Sequence, residues 1–260
     1  MSIPTCISNT DNIQLSLGGF CLTSTTAENL QRQLQYAIEQ KQQIPMFFAN
    51  TNFIVKCQPL RARMVENNAL IINDGVGIDI ATWLIHRTRF PQNLNGTDFI
   101  PEFLYHLRHQ ARVYLYGGKP GVAERAANTL HSEFNVSVVG TCDGYAQARD
   151  VDLLLNAIDE SKANIVLVAM GNPLQEEWIL NHYHKTHANV FIGVGACLDF
   201  LAGDKPRAPE WIRRIRMEWC YRLCLEPARL ARRYTLDIIV FLSLCLRTGK
   251  QITHLTSEKG

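Results

Sequence analysis

The chain has 260 residues, 47% of them hydrophobic and 19% charged, with a formal net charge of +2. That balance excludes a disordered chain. It gives no whole-chain signal for nucleic acid, and no nucleic-acid partner is expected. The length suits one large α/β domain or two small ones.

In chain order, AENLQRQLQYAIEQ carries Leu30, Leu34, Ala37 and Ile38 at helical spacing. IPMFFAN is apolar, ends at Asn50 and reads as a strand. TNFIVKCQPLRARMVENN reads as helical in its second part. NALIIND reads as a buried strand that stops on Asp74, with Gly75 and Gly77 on either side of Val76. That carboxylate either caps a turn or does acid–base chemistry. GVGIDIATWLIHR then turns helical, and DFIPEFLYHLRHQ is a further helix with Asp98 as its N-cap and Pro101 in its first turn.

The alternation continues. ARVYLYGGKPGVAERAANTLHSEF is a strand, a glycine turn and a helix; VSVVGTCDGY is a strand; DVDLLLNAIDESK is a helix. NIVLVAMGNPLQEEWILNHYH is a strand, a loop and a helix, and NVFIGVGACLDFLAGD is a strand running into glycines. Repeated strand–helix alternation predicts an α/β fold, a mostly parallel, Rossmann-like sheet with helices on both faces. Ligands of such sheets bind at the carboxyl ends of the strands. Asn50, Asp74, Gly117, Asp143, Gln175 and Asp199 fall there.

After Gly203 the texture changes to two or three amphipathic helices, rich in Arg and Trp and divided by Pro227, with no strand candidate. The expected division is residues 1–203 as the catalytic domain and 204–260 as a helical C-terminal appendage. The apolar run Ile238–Leu246 falls far short of the roughly 20 residues a spanning helix needs, so the chain is not expected to cross a membrane. It is expected to be able to lie on one. The final QITHLTSEKG reads as a frayed tail. The start, MSIPTCISNTDN, lacks the basic and apolar segments of a signal peptide. The eight cysteines show no Cys-x-x-Cys and no zinc spacing with histidine, and are read as reduced thiols of a cytoplasmic protein.

Each polar motif has an ordinary rival. Gly117-Gly118-x-x-Gly121 after a strand suits a phosphate on backbone N–H groups, or simply a tight strand–helix turn. With Asp143 at roughly the spacing of a ribose-binding acid, it also admits a nicotinamide-dependent oxidoreductase. Asp150-x-Asp152 resembles a metal pair, but helix capping explains it fully, and no metal is predicted there. Asn172, Gln175 and Glu176 suit recognition of a base or a sugar hydroxyl, or simply begin a helix. Arg222, Arg229, Arg232 and Arg233 suit a pyrophosphate. They equally suit a solvated basic face or one resting on anionic lipid.

Seven segments together carry a resemblance: NDGVGI, NGTDFIP, YGGKPGV, GTCDGY, VAMGNPLQEEW, GVGACLDFLAGDKPRAP and EWCYRLCLEPAR. In order, within a resemblance that runs from roughly Phe47 to Arg233, they resemble the WecG/TagA/CpsF family of bacterial glycosyltransferases. The resemblance implies an inverting transferase that needs neither metal nor cofactor. It implies a UDP-sugar donor and a polyprenyl-diphosphate-linked sugar acceptor at the cytoplasmic face of the membrane. Asp74 falls on the family's proposed catalytic base, and Arg222, Arg229 and Arg232 on arginines thought to meet the diphosphate. Tyr145, Gln175 and Asp199 fall on positions lining the nucleotide pocket. Asn50 and Asn52 of FFANTNF, and within the same motifs Gly75, Gly77, Thr97, Asp98, Gly117, Gly118, Glu176 and Arg207, are further expected substrate contacts.

The family often carries Thr-x-Asn after its early strand, where this chain has Phe48-Ala49-Asn50. Thr51 is the nearest hydroxyl and is taken as the second catalytic candidate. FFANTNF looks closer to the GumM-like, xanthan-type glucosyltransferases of the family, which implies β-1,4 transfer of glucose in exopolysaccharide assembly. The alternative within the family is transfer of N-acetylmannosamine or N-acetylmannosaminuronate. The amphipathic tail suits an anionic membrane surface or, in a homo-oligomer, a second chain.

Overall fold

The structure is a computed structural model that describes residues 13–145, 150–214, 218–225, 227 and 237–248. Eight strands form one sheet: β1 Ile13–Leu17, β2 Phe20–Ser24, β3 Ile44–Ala49, β4 Leu70–Asn73, β5 Arg112–Gly117, β6 Ser137–Cys142, β7 Ile165–Ala169 and β8 Val190–Gly193. Their order is β1-β2-β4-β3-β8-β7-β5-β6. Every neighbouring pair is parallel except β1 and β2. The mostly parallel sheet with helices on both faces is therefore present.

Central strands of such a sheet are buried on both faces, so they read as unbroken apolar runs. All five residues of β7, IVLVA, are buried. Alternate side chains feed two cores: in β3, Phe47 and Ala49 enter one, Met46 and Phe48 the other. The first core is covered by α2 Thr51–Lys56, α3 Arg61–Glu66, α4 Val76–His86, α7 Val151–Glu160 and α8 Leu174–His182. The second is covered by α1 Ala27–Glu39, α5 Gly96–His106, α6 Val122–Phe134 and α9 Cys197–Leu201.

Four local readings need correction or completion. IQLSL-GG-FCLTS forms an antiparallel hairpin at the sheet edge that the helix–strand alternation does not announce. Gly18 and Gly19 take φ of +58° and +87°, the left-handed pair that a two-residue turn requires. Helix begins at Thr51, earlier than predicted, because the Asn50 side chain accepts the Phe53 N–H at 3.1 Å. Asn95, not Asp98, caps α5: its Oδ1 takes the Thr97 N–H at 2.8 Å, and Pro101 lies inside the helix. Finally, the apolar run near the C-terminus folds as a helix over 237–248 and returns to the domain. Phe241 and Cys245 are buried in the first core, and burial pushes the Cys245 thiol up to about 12. A Cβ on Gly18 would stand 2.4 Å from Ile54 Cγ2, so the hairpin turn needs glycine to lie against α2, and Cys245 Sγ lies at ordinary contact distance, 3.9 Å.

Two further helices, α10 Glu210–Arg214 and α11 Glu218–Leu225, follow α9. Arg222 lies in α11; Arg229, Arg232 and Arg233, like the final tail, lie outside the described residues. No described helix is long and apolar enough to cross a membrane.

Candidate active site

The strand order places the ends of β4, β3, β8 and β7 side by side. A parallel sheet directs all four carboxyl ends to one edge. Asp74 follows β4 and is held in place by its own backbone: its N–H donates to Ala49 O at 2.9 Å. Its Oδ2 accepts from Asn50 Nδ2 at 3.3 Å. Asn50 therefore does two jobs, capping α2 with its oxygen and orienting the carboxylate with its nitrogen. Asp74 is half-buried.

Gly75 follows with φ +92° and ψ 157°, a backbone that only glycine adopts readily. Its N–H donates to Asn93 Oδ1 at 2.8 Å, and a Cβ there would meet nothing within 4 Å. The chain thus bends sharply beside open space. Gly77 has a different reason: a Cβ would lie 2.7 Å from Thr51 Cγ2. This contact brings the first turns of α2 and α4 together and seats Thr51 beside the Asp74 turn. Asn93 was not singled out from the sequence; the only cue was an asparagine just ahead of the NGTD segment.

From α2 a chain of amides crosses toward β7 and β8. Asn52 Nδ2 donates to Asn172 Oδ1 at 3.1 Å. Asn172 Nδ2 donates to Glu176 Oε1 at 2.6 Å, and Gln175 Nε2 donates to the same oxygen at 2.8 Å. Gln175 Oε1 accepts from Gly171 N at 3.1 Å and Gly195 N at 3.0 Å. Gln175 is 3% exposed and Glu176 is 0% exposed, so these two expected contacts lie behind the cleft wall. Burial holds the Glu176 carboxyl above the ordinary carboxylate range, against donation from Gln175, Asn172 and Cys57. The neighbouring Cys57 thiol is raised too, by its own burial and then by Glu176.

The remaining candidates form separate groups. Gly118 N–H is taken by Ala169 O at 2.9 Å, and a Cβ on Gly117 would stand 2.4 Å from that same oxygen. The glycine pair therefore serves close approach of β5 to β7, which favours the tight-turn reading. Asp143 is buried and receives the Tyr145 N–H at 2.7 Å, leaving the Tyr145 ring exposed. Asp199 pairs with Lys205 Nζ at 2.8 Å. Asp98 pairs with Arg207 Nη2 at 2.5 Å. Thr97, Asp98 and Arg207 line an open groove of about 690 Å³ between α5, α6 and the end of α9, which none of the Asp74 cluster lines. Asp150 Oδ1 accepts the N–H groups of Asp152 and Leu153, which is the capping role read from the sequence. Among the described residues no group of three His, Cys, Asp or Glu side chains is placed to hold a metal.

A carboxylate at a strand end, flanked by amides and an open glycine turn, can take a proton from a sugar hydroxyl. The model of the glycosyl transferase WecG/TagA/CpsF family matches residues 15–254. The chain belongs to this family. It is accordingly a glycosyltransferase. Among its relatives is an N-acetylglucosaminyldiphosphoundecaprenol N-acetyl-beta-D-mannosaminyltransferase of Bacillus subtilis (strain 168), 33% identical over 75% of this chain and 76% of the relative. A protein of the same name from Staphylococcus aureus (strain MRSA252) is 30% identical over 78% of this chain and 85% of the relative. The family membership displaces the oxidoreductase reading of the Gly117 turn. Both relatives are named for N-acetylmannosaminyl transfer, and neither name supports the expectation of glucose transfer or xanthan-type assembly.

Proposed function

We propose that this enzyme transfers an N-acetyl-β-D-mannosaminyl group from a UDP-linked donor to the sugar of an N-acetylglucosaminyl diphosphopolyprenol acceptor, with inversion. The observation that carries it is the half-buried Asp74, oriented by Asn50 at the carboxyl end of β4 beside an open turn. The names of the curated relatives support the donor and the acceptor.

Inversion is one in-line displacement. The acceptor hydroxyl attacks the anomeric carbon, Asp74 takes the hydroxyl proton, and the bond to the UDP oxygen breaks with its electron pair. The leaving diphosphate gains charge, and Arg222, Arg229 and Arg232 of the appendage are assigned to neutralise it. Catalysis is placed in residues 1–203. Contact with an anionic membrane surface at the cytoplasmic face is placed in 204–260, where Trp211, Leu225, Ile239 and Leu246 each leave half or more of their surface exposed.

The departure at Phe48 keeps the donor open to one direct test. Phe48 is buried against Phe99, at 6.1 Å between ring centroids, and against Gly96. The family's threonine position is thus filled by an aromatic ring on the second core. Purified enzyme is offered UDP-N-acetylmannosamine and UDP-glucose with an N-acetylglucosaminyl diphospholipid, and product is read by mass. Transfer from UDP-N-acetylmannosamine is expected. Preference for UDP-glucose would overturn the donor assignment and leave the base assignment standing.

A further inference from the structure

The sequence presents Glu176 as a residue that could touch substrate, yet it is fully buried. Its Oε1 accepts two amide donors, Asn172 Nδ2 at 2.6 Å and Gln175 Nε2 at 2.8 Å. The Cys57 thiol stands next to the same carboxyl. A buried carboxyl with no paired cation is costly to ionise.

A side-chain amide has one accepting and one donating end, and nothing local decides which way it faces. Here the surroundings decide. The Gly171 and Gly195 N–H groups follow different strands, β7 and β8, and both need an acceptor. Gln175 satisfies both only if its oxygen faces them, and its nitrogen then needs an acceptor in the core. Glu176 Oε1 is that acceptor. The same oxygen holds the Asn172 nitrogen, which turns the Asn172 oxygen toward Asn52 Nδ2. Asn52 belongs to the first turn of α2, whose cap Asn50 orients Asp74.

We propose that Glu176 is a positioning residue: one buried carboxyl oxygen sets the orientation of Gln175 and Asn172 and thereby the spacing of the β7, β8 and α2 ends around Asp74. It touches no substrate. What it supplies is an acceptor, so glutamine can replace it and an apolar residue of similar volume cannot. The proposal deepens the function proposed above and relies on it only for the activity assay.

The test compares Glu176→Gln and Glu176→Met in the full chain, with two readouts. The first is NMR of the side-chain amide groups of Gln175 and Asn172, which needs no substrate. Slow-exchanging signals are expected in the wild type and E176Q, and exchange-broadened ones in E176M. The second is transfer kinetics. E176Q is expected within about threefold of wild-type kcat, and E176M at least about tenfold lower in kcat with donor KM nearly unchanged, as for a misplaced reacting group. E176Q as slow as E176M, or loss of the protected amides in E176Q, overturns the proposal. So does folded E176M with wild-type kcat. If the wild type itself transfers none of the sugars offered, the proposed function falls, and the amide signals still decide the role of Glu176.

Discussion

Two acidic side chains follow strands that end at the same edge of the sheet, β4 and β7, and are treated oppositely by the fold. Asp74 is half-buried, receives one amide hydrogen from Asn50, and is followed by a glycine turn that opens onto free space. Glu176 is closed off from solvent, receives two amide hydrogens on one oxygen, and is pushed toward its neutral form by burial. Residue type is nearly the same; environment assigns one to chemistry and the other to architecture. Polar residues in the cleft motifs therefore divide into those that face the opening and those that hold the wall behind it.

The sharpest way to break that division is Asp74→Asn. The amide keeps the size of the side chain and removes the base. Transfer kcat is expected to fall by about 10²–10⁴-fold. Donor binding, read as thermal stabilisation by UDP-sugar, should persist. Near-normal turnover in D74N would remove Asp74 from the proton transfer and collapse the contrast with Glu176.

A smaller effect is expected at the next residue. Gly75 adopts φ +92°, and a Cβ would find open space, so Gly75→Ala introduces backbone strain without a clash. Such strain costs about 1–3 kcal/mol. A lower melting temperature together with reduced kcat is expected, because relief of the strain moves the turn that carries Asp74. A G75A variant with unchanged stability would mean that the turn relaxes freely and does not fix the carboxylate.

The outline of both regions was legible in the sequence, and for a physical reason. Strands buried on both faces must be apolar throughout, so ALIIND and NIVLVAM announce themselves and their polar ends mark the cleft edge. The hairpin at residues 13–24 was missed because it lies at the edge, where one short glycine pair is the only punctuation. The Asp98 cap was misplaced because aspartate and asparagine have similar capping preferences and only the turn geometry chooses Asn95. The inward turn of Gln175 and Glu176 was not legible either. Periodicity along α8 does not separate a polar side chain facing the cleft from one facing the core, and the deciding partners, Gly171 and Gly195, are brought together only by the pairing of β7 with β8. The inward packing of the helix at 237–248 was not legible because residues 204–260 taken together are basic and amphipathic, while Phe241 and Cys245 find their core partners far away in sequence.

The buried carboxyl also has a signature in pH. The folded Glu176 keeps its proton above the ordinary carboxylate range, whereas in the unfolded chain it loses it there. Across that window the native state binds the extra proton, so stability falls as pH rises from the unfolded value through the folded one. Replacing Glu176 with glutamine removes the titration and should flatten this stretch of the melting temperature against pH. A curve for E176Q parallel to the wild type through the whole window would show that Glu176 titrates alike in both states, contrary to its closed surroundings.

Asp150 provides the smallest effect and the baseline for the other two acids. Its Oδ1 accepts the N–H groups of Asp152 and Leu153 at 3.1 and 3.2 Å, and the residue is exposed at the start of α7. It neither faces the Asp74 turn nor orients an amide of the cleft. Asp150→Ala removes the cap and should lower stability by about 1 kcal/mol, read from denaturant midpoints. Turnover by the folded enzyme should be unaffected. Because α7 rests on the first core through Leu154, Leu155 and Ile158, fraying of its first turn has a route to the sheet but not to the strand ends. A fall in kcat for D150A beyond its share of unfolded protein would therefore tie the capping carboxylate to the cleft, and the separation of acids into chemistry, positioning and capping would have to be redrawn.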